Sequence, residues 1–351
     1  MTVDHRTRHA LRAGHCHLRL PGWALAALLL LPAPAALGQF FDQGPVFTCL
    51  EENDFIVRTD RHYTQGLKFS YLQRDNVLPG FLKRFSDRLP AVGFEKKVDK
   101  FGYQAGQSIF TPNDLDTAAP LPGDRPYAGW LYTGFILQRR GLTGRFPVLE
   151  HLQMDLGVIG PEALAEQAQD LFHGTDANGW DNQLGTEFGL AVRYQRAWLL
   201  SPQLDRRGSA RWLDLIPHAG FSLGNIETSF RCGGTVRVGW NLPDDFGVQS
   251  IDALATTDGG WSPSRKAGRY GAYLFTGVEG RAVAYSAFLD GNLFRDSLSV
   301  DKETLVGEWK SGLIIVLNRL ELGYTYILRS KEFHAQDERD RYGSAFLKYK
   351  F

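Results

Sequence analysis

From about residue 45 to the end of the chain, apolar and polar residues take turns with a period of two, the spacing of a strand with one face buried and not of a helix. In 147–159, Val148, Leu152, Met154, Leu156 and Val158 alternate with His151, Gln153, Asp155 and Gly157. Phe188, Leu190, Val192, Tyr194 and Trp198 stand against Glu187, Arg193 and Gln195, and Leu320, Leu322, Tyr324, Tyr326 and Leu328 stand against Glu321, Gly323 and Thr325. The same reading places strands at 46–53, 64–74, 101–110, 127–139, 147–159, 185–199, 211–224, 226–241, 269–284, 304–317, 319–330 and 342–351. Most reach the roughly 9 to 11 residues that a tilted strand needs to cross a bilayer. Twelve long antiparallel strands predict an all-β, closed transmembrane barrel of the outer-membrane type, because closure leaves no strand edge unpaired in lipid. The competing architecture is a secreted soluble β-sandwich.

Both chain ends bear on that choice. At the C-terminus Leu347, Tyr349 and Phe351 share one face and Lys348 and Lys350 the other, so the chain ends inside a strand, on an aromatic residue. Such an ending resembles the signal read by the machinery that assembles bacterial outer-membrane barrels. At the N-terminus Arg6, Arg8, Arg12 and Arg19 precede an apolar stretch, 23–37, that Pro32 and Pro34 interrupt and small residues follow. That order is a secretory signal peptide over 1–38, with the barrel in 39–351. The stretch is too short for a membrane-spanning helix. Its removal takes four Arg and one Asp from a balance of 39 basic and 39 acidic residues, leaving a slightly acidic exported chain and no electrostatic footprint of a nucleic-acid partner. Cys16 leaves with it. Cys49 and Cys232 remain, either as a disulfide or, by the plainer reading, as two partly buried thiols.

With both termini on the periplasmic side, the connections after odd strands are extracellular: 54–63, 111–126, 160–184, a turn near Asn225, 285–303 and 331–341. The periplasmic set then includes two unusually long connections, 75–100 and 242–268. The first holds FLKRFSDRL (81–89), a short amphipathic helix; the second is rich in Asp, Gly and Ser and reads as irregular. Residues 160–173 break the period-two pattern. Pro161 suits a first helical position and Glu162 the first turn, so this stretch predicts a short helix in the third extracellular loop. Leu164, Ala168, Leu171 and Phe172 form its expected docking side, with Glu162, Glu166, Gln169 and His173 opposite.

Nucleotide, zinc-hydrolase and serine-elbow motifs are missing from the sequence. Polar residues bunch instead at strand ends. Glu52, Asn53 and Asp54 close the first strand and Thr64 opens the second, so a hairpin sets them side by side. Carboxylate, amide and hydroxyl oxygens are the hard donors that Ca²⁺ takes, though Asn, Asp and Thr are equally ordinary turn formers. In GDRPYAGWLY (123–132) Asp124 and Arg125 are expected to pair at the rim, with Tyr127, Trp130 and Tyr132 as an aromatic belt. His173 is followed by Asp176, Trp180, Asp181 and Asn182; a solvated histidine is the plain alternative to a functional one.

Taken in order, END, DRHYTQG, GQSIFTPND, GDRPYAGWLY, LGVIGPEALAEQAQ with His173, and GWDNQ resemble the outer-membrane lipid A 3′-O-deacylase family over most of the chain. The resemblance implies a calcium-dependent site near the outer rim, between the barrel wall and a loop helix, acting on the 3′-linked acyloxyacyl group of lipid A in a Gram-negative outer membrane. It implies that His173 is the general base on a water and that Asn53, Asp54 and Thr64 form the polar group tied to Ca²⁺ and to oxyanion stabilisation. A phospholipase-like hydrolase with the same parts is the second reading, and a non-catalytic pore or adhesin the third. A continuous polar lumen would favour the pore; a blocked lumen would favour the esterases.

Overall fold

The computed structural model describes residues 44–54, 62–173, 177–202, 211–247, 250–251 and 270–351. The proposed signal peptide lies outside them. Twelve strands form one closed antiparallel barrel, each hydrogen-bonded to its sequence neighbours and β1 closing on β12. They are β1 (Val46–Asn53), β2 (His62–Leu72), β3 (Glu95–Thr111), β4 (Ala128–Thr143), β5 (Phe146–Ile159), β6 (Glu187–Trp198), β7 (Leu213–Gly224), β8 (Glu227–Trp240), β9 (Tyr270–Ser286), β10 (Leu305–Leu317), β11 (Leu320–Arg329) and β12 (Asp340–Lys350). The soluble sandwich is thereby excluded. Every expected strand is present, and most ends fall within two or three residues of the sequence reading; β3 starts six residues early and β4 runs four residues long. Among the described residues no helix is long and apolar enough to cross a membrane.

The alternation divides wall from lumen. Phe135 and Met154 are exposed and paired across β4 and β5, as are Tyr103 and Phe135 across β3 and β4, which marks the outward face. On β12 Leu347 and Tyr349 point out, while Lys348 is buried on Glu321 at 2.8 Å. Cys49 is half-buried and Cys232 exposed, and both are free thiols, so the disulfide is not formed.

Charge fills the lumen and is matched there. Arg237 lies between Asp214 (2.7 Å) and Asp245, His218 meets Glu279 at 2.8 Å, and Glu332 receives Arg281 at 2.9 Å and Arg125 at 3.3 Å. Ions taken from water cost several kcal/mol each unless paired with good geometry, so this interior is cohesive only as a complete network.

Two connections go where a periplasmic turn would not. Of the segment between β8 and β9, Leu242 and Ile251 pack with Leu50, Tyr273, Phe275, Ile314, Val316 and Phe346 in one buried cluster. The Ser250 carbonyl accepts from Lys68 Nζ (3.3 Å), and the Ile251 N–H donates to Glu52 Oε1 (2.9 Å), next to the last residue of β1. The segment's described residues, 241–247 and 250–251, therefore rise inside the lumen from the rim where β1 begins and β12 ends, the termini rim, and form a plug among the inward side chains. The sequence reading of an irregular turn missed this, because a plug has no period of its own. At the opposite rim Phe333, Glu332 and Gln336 of the β11–β12 loop are buried.

The connection between β2 and β3 carries helix α1 (Gly80–Arg88) and lies on the outer wall. Asp99, Arg139, Glu150 and Arg196 sit on outward positions of β3 to β6 near the termini rim. The 80–94 segment covers them: Ser86 Oγ donates to Asp99 (2.7 Å), Arg139 to the Leu89 carbonyl (2.9 Å) and Arg196 to the Val92 carbonyl (2.7 Å). Phe94 lies under both guanidinium groups, at 5.6 Å from Arg139 and 5.3 Å from Arg196. The helix predicted at 81–89 is present, shifted by one residue.

Candidate active site

The β1–β2 hairpin brings Asn53, Asp54 and Thr64 to the rim opposite the termini. Asn53 pairs in register with Gln65, and the Asp54 N–H reaches the Thr64 carbonyl at 3.5 Å. A bulge between Tyr63 and Gln65 inserts Thr64 as an extra residue. Bulges re-aim a side chain, and this one turns the Thr64 hydroxyl to Thr111 Oγ1 at 2.7 Å. Asn53 falls on the outward face of β1 and Thr111 on that of β3, yet both are buried, as are Asp54 and Thr64. On the lumen side Glu52 accepts from the Tyr63 hydroxyl (2.9 Å) and from the plug, so the hairpin end is braced from within.

Helix α2 (Ala165–His173) covers the neighbouring wall of β3 and β4. A 3-10 turn, Pro161–Ala163, precedes it, and Leu164 between them has φ 57°. A left-handed leucine costs on the order of 1–3 kcal/mol, and it rotates the helix away from the expected facing. Leu164 is 52% and Leu171 78% exposed, while Ala163, Ala165 and Gln169 are buried. The expected docking side is thus corrected in part: Ala168 packs as expected against the cluster of Ile109, Tyr127 and Trp180, but Leu164 and Leu171 point away from the wall and Gln169, expected opposite, is buried, while the Phe172 side chain lies outside the described residues. The reason is Gly129. A Cβ there would stand 2.6 Å from Ala165 Cβ and 2.9 Å from Ala163 Cβ, so the backbones approach more closely than any leucine permits. Gln107 Nε2 donates to the Ala163 carbonyl (2.6 Å), and Trp180 Nε1 donates to Gln169 Oε1 (2.9 Å) beneath the helix.

His173 is the last residue of α2. Its imidazole and Asp176 lie outside the described residues. Asp181 sits in a 3-10 turn, Trp180–Asn182, and is exposed.

The second loop departs from expectation. Asp124 does not bind the Arg125 side chain; its carboxylate accepts the N–H groups of Asn113 (2.8 Å) and Arg125 (2.7 Å), and the guanidinium turns to Glu332. Trp130 and Tyr132 are not a lipid belt either, since they stack at 5.6 Å and are buried in the lumen-facing cluster. Tyr127 alone packs outward, against Trp180 at 4.8 Å, and burial pushes its phenol up to about 12, so it stays neutral. A cavity of about 280 Å³ opens beside it, walled by Pro112, Pro120, Leu121, Pro122 and Leu298. The Thr186 hydroxyl bond to Glu162 ties the start of the α2 turn to the base of β6 and holds that carboxyl below its usual range.

The donors gathered at the hairpin are all oxygen: an amide, a carboxylate and two hydroxyls. That chemistry fits Ca²⁺ and does not fit zinc. Among the described residues no group of three or more His, Cys, Asp or Glu is placed to hold a metal ion. A cation at the hairpin would therefore be held by Asp54 together with neutral oxygens. Thr111 is the residue that sequence reasoning missed, because the expected β3 stopped one position short of it. The signal available was the register of β2 against β3.

The sequence matches the family described as outer membrane protein LpxR over residues 23–351. Among solved structures, LpxR from Salmonella typhimurium matches with a TM-score of 0.65 at 19% identity, covering 87% of this chain and 100% of that one. The β domain of the Bordetella autotransporter BrkA matches with a TM-score of 0.39 at 9% identity, covering 88% and 99% of the two chains. No curated protein sequence matches. With a family match that runs from residue 23 to the last residue, and a closed barrel of twelve strands to go with it, the chain belongs to the LpxR family of outer-membrane proteins.

Proposed function

We infer that the protein is an esterase of the outer membrane that removes the 3′-linked acyloxyacyl group of lipid A. One observation supports this reading beyond family membership: the polar hairpin end and helix α2 lie on the outer wall, while the lumen behind them holds the plug residues, an arrangement that suits a lipid substrate better than a channel. In this reading the hairpin rim faces outward, the outer leaflet supplies the substrate, and the alternating stretch of β12 with Phe351 after it is what the barrel-assembly machinery reads. The buried, ion-paired side chains of the lumen tell against a pore.

Asn53, Asp54 and Thr64, with Thr111 behind Thr64, would hold a calcium ion. When bound, it supplies charge that polarises the ester carbonyl and offsets the developing oxyanion. His173 takes a proton from the attacking water. Asn53 and Thr64 orient the carbonyl, and α2 excludes bulk water over the wall.

Mass spectrometry of lipid A from cells with and without the protein tests the reading. The expected result is loss of the mass of the 3′ acyloxyacyl group when the protein is present. Unchanged lipid A with newly formed lysophospholipid would replace this reading by the phospholipase-like one.

A smaller effect follows from the close approach at Gly129. Gly129→Val pushes α2 off the wall, and misplacement of a reacting group by about 1 Å costs on the order of 10²-fold in rate. Deacylation should fall by about that much while the barrel keeps its heat-modifiable mobility on gels. Undiminished activity would mean that α2 need not dock.

A further inference from the structure

We propose that helix α1 and the turn that follows it, 89–94, form a membrane-interface collar at the termini rim, seated among glycerophospholipids of the adjacent leaflet. The segment is attached to the wall along one side only. Ser86, the one buried residue of α1, anchors on Asp99, and Lys96 joins the same point through Asp87 (2.7 Å) and Asp99 (2.9 Å). What faces away is apolar on one flank and charged on the other. At roughly 100° per residue, Phe81 and Phe85 lie together, 63% and 45% exposed, and Lys83 lies nearly opposite. Arg84 and Arg88 follow directly on the phenylalanine edge. Val77 and Val92, before and after the helix, are exposed as well.

Two observations name the occupant. The first is continuity: Phe69, Tyr71 and Tyr103 on β2 and β3, with Phe135 on β4 and Phe351 at the chain end, are exposed on the same outer wall, so the α1 phenylalanines extend a surface that an outer-membrane barrel already gives to lipid. The second is charge. Lys83, Arg84 and Arg88 exceed the single acid, Asp87, on the helix, which suits phosphate headgroups, and Arg stems beside an aromatic flank cover apolar surface while the guanidinium stays at headgroup level. The collar also accounts for the ions beneath it. Asp99, Arg139, Glu150 and Arg196 occupy lipid-facing positions, and the 80–94 backbone supplies carbonyl partners that acyl chains lack.

The test uses the whole barrel with Cys49 and Cys232 replaced by serine, reconstituted in vesicles of phosphatidylethanolamine and phosphatidylglycerol. Spin labels are placed at single cysteines in Phe81→Cys, Phe85→Cys and Lys83→Cys proteins. Labels at 81 and 85 are expected to be relaxed more by oxygen, which partitions into hydrocarbon, than by a water-soluble nickel chelate, and the label at 83 should show the reverse order. Equal access of the nickel reagent to all three would overturn the proposal. So would labels at 81 and 85 shielded from both reagents, because a protein partner or a second copy would then cover the face.

Discussion

His173→Ala is expected to lower deacylation by about 10²- to 10⁴-fold, the usual contribution of general-base assistance, in a protein that still folds. The contacts that dock α2 lie at other positions: Ala163 and Ala165 against Gly129, Gln107 on the Ala163 carbonyl, and Gln169 under Trp180. Truncating the final residue of the helix removes none of them. Heat-modifiable mobility and an unchanged near-ultraviolet signal from Trp180 would confirm that only the base has been lost. In the wild type the rate should rise with pH as the imidazole gives up its proton, and the alanine protein should lose that limb. Near-normal deacylation by the variant would remove His173 from the mechanism and put Asp176 or Asp181 in its place.

The second large effect concerns the cation. A calcium chelator should abolish activity and added Ca²⁺ restore it, whereas Zn²⁺ should not, since the hairpin offers oxygens and neither thiolate nor imidazole. Asp54→Asn keeps the shape and the backbone bond to Thr64 but removes the one charge among the proposed donors. A loss of about 10²- to 10³-fold is expected, the scale on which an oxyanion-stabilising group acts. Part of that loss should be recovered at high Ca²⁺, which separates a weakened ligand from a misfolded hairpin. Full activity in chelator would reduce Asp54 to a turn residue.

The strands were legible because each has to satisfy two solvents at once, and the alternation of Leu320 to Leu328 or of Phe188 to Trp198 writes that demand into the sequence. Residues whose surroundings are set by other segments were not legible. Trp130 and Tyr132 carry the composition of a lipid belt, but the parity of β4 sends them inward, and parity was ambiguous until Leu131 and Phe135 were seen exposed. The facing of α2 failed for a different reason. A periodicity argument assumes one unbroken helix, and the left-handed Leu164 resets the phase between Ala163 and Ala165. Asn53, Asp54 and Thr64 could be grouped in advance since a hairpin must join their strands. Thr111 and the Glu52 brace depend on a bulge and on a plug, which leave no local signature.

Placing α2 and the polar hairpin end on the outside of the wall also changes what concentration means for this protein. A ligand that reaches such a site travels within the plane of the membrane, so encounter frequency follows its mole fraction in the leaflet and not its amount per volume of suspension. Diluting vesicles with buffer should leave the turnover per molecule unchanged, whereas diluting the substrate with inert lipid should slow it. The hairpin end is meanwhile tied from within, where Glu52 accepts the Ile251 N–H, so the protein's own interior, and not only the surrounding lipid, holds it in place.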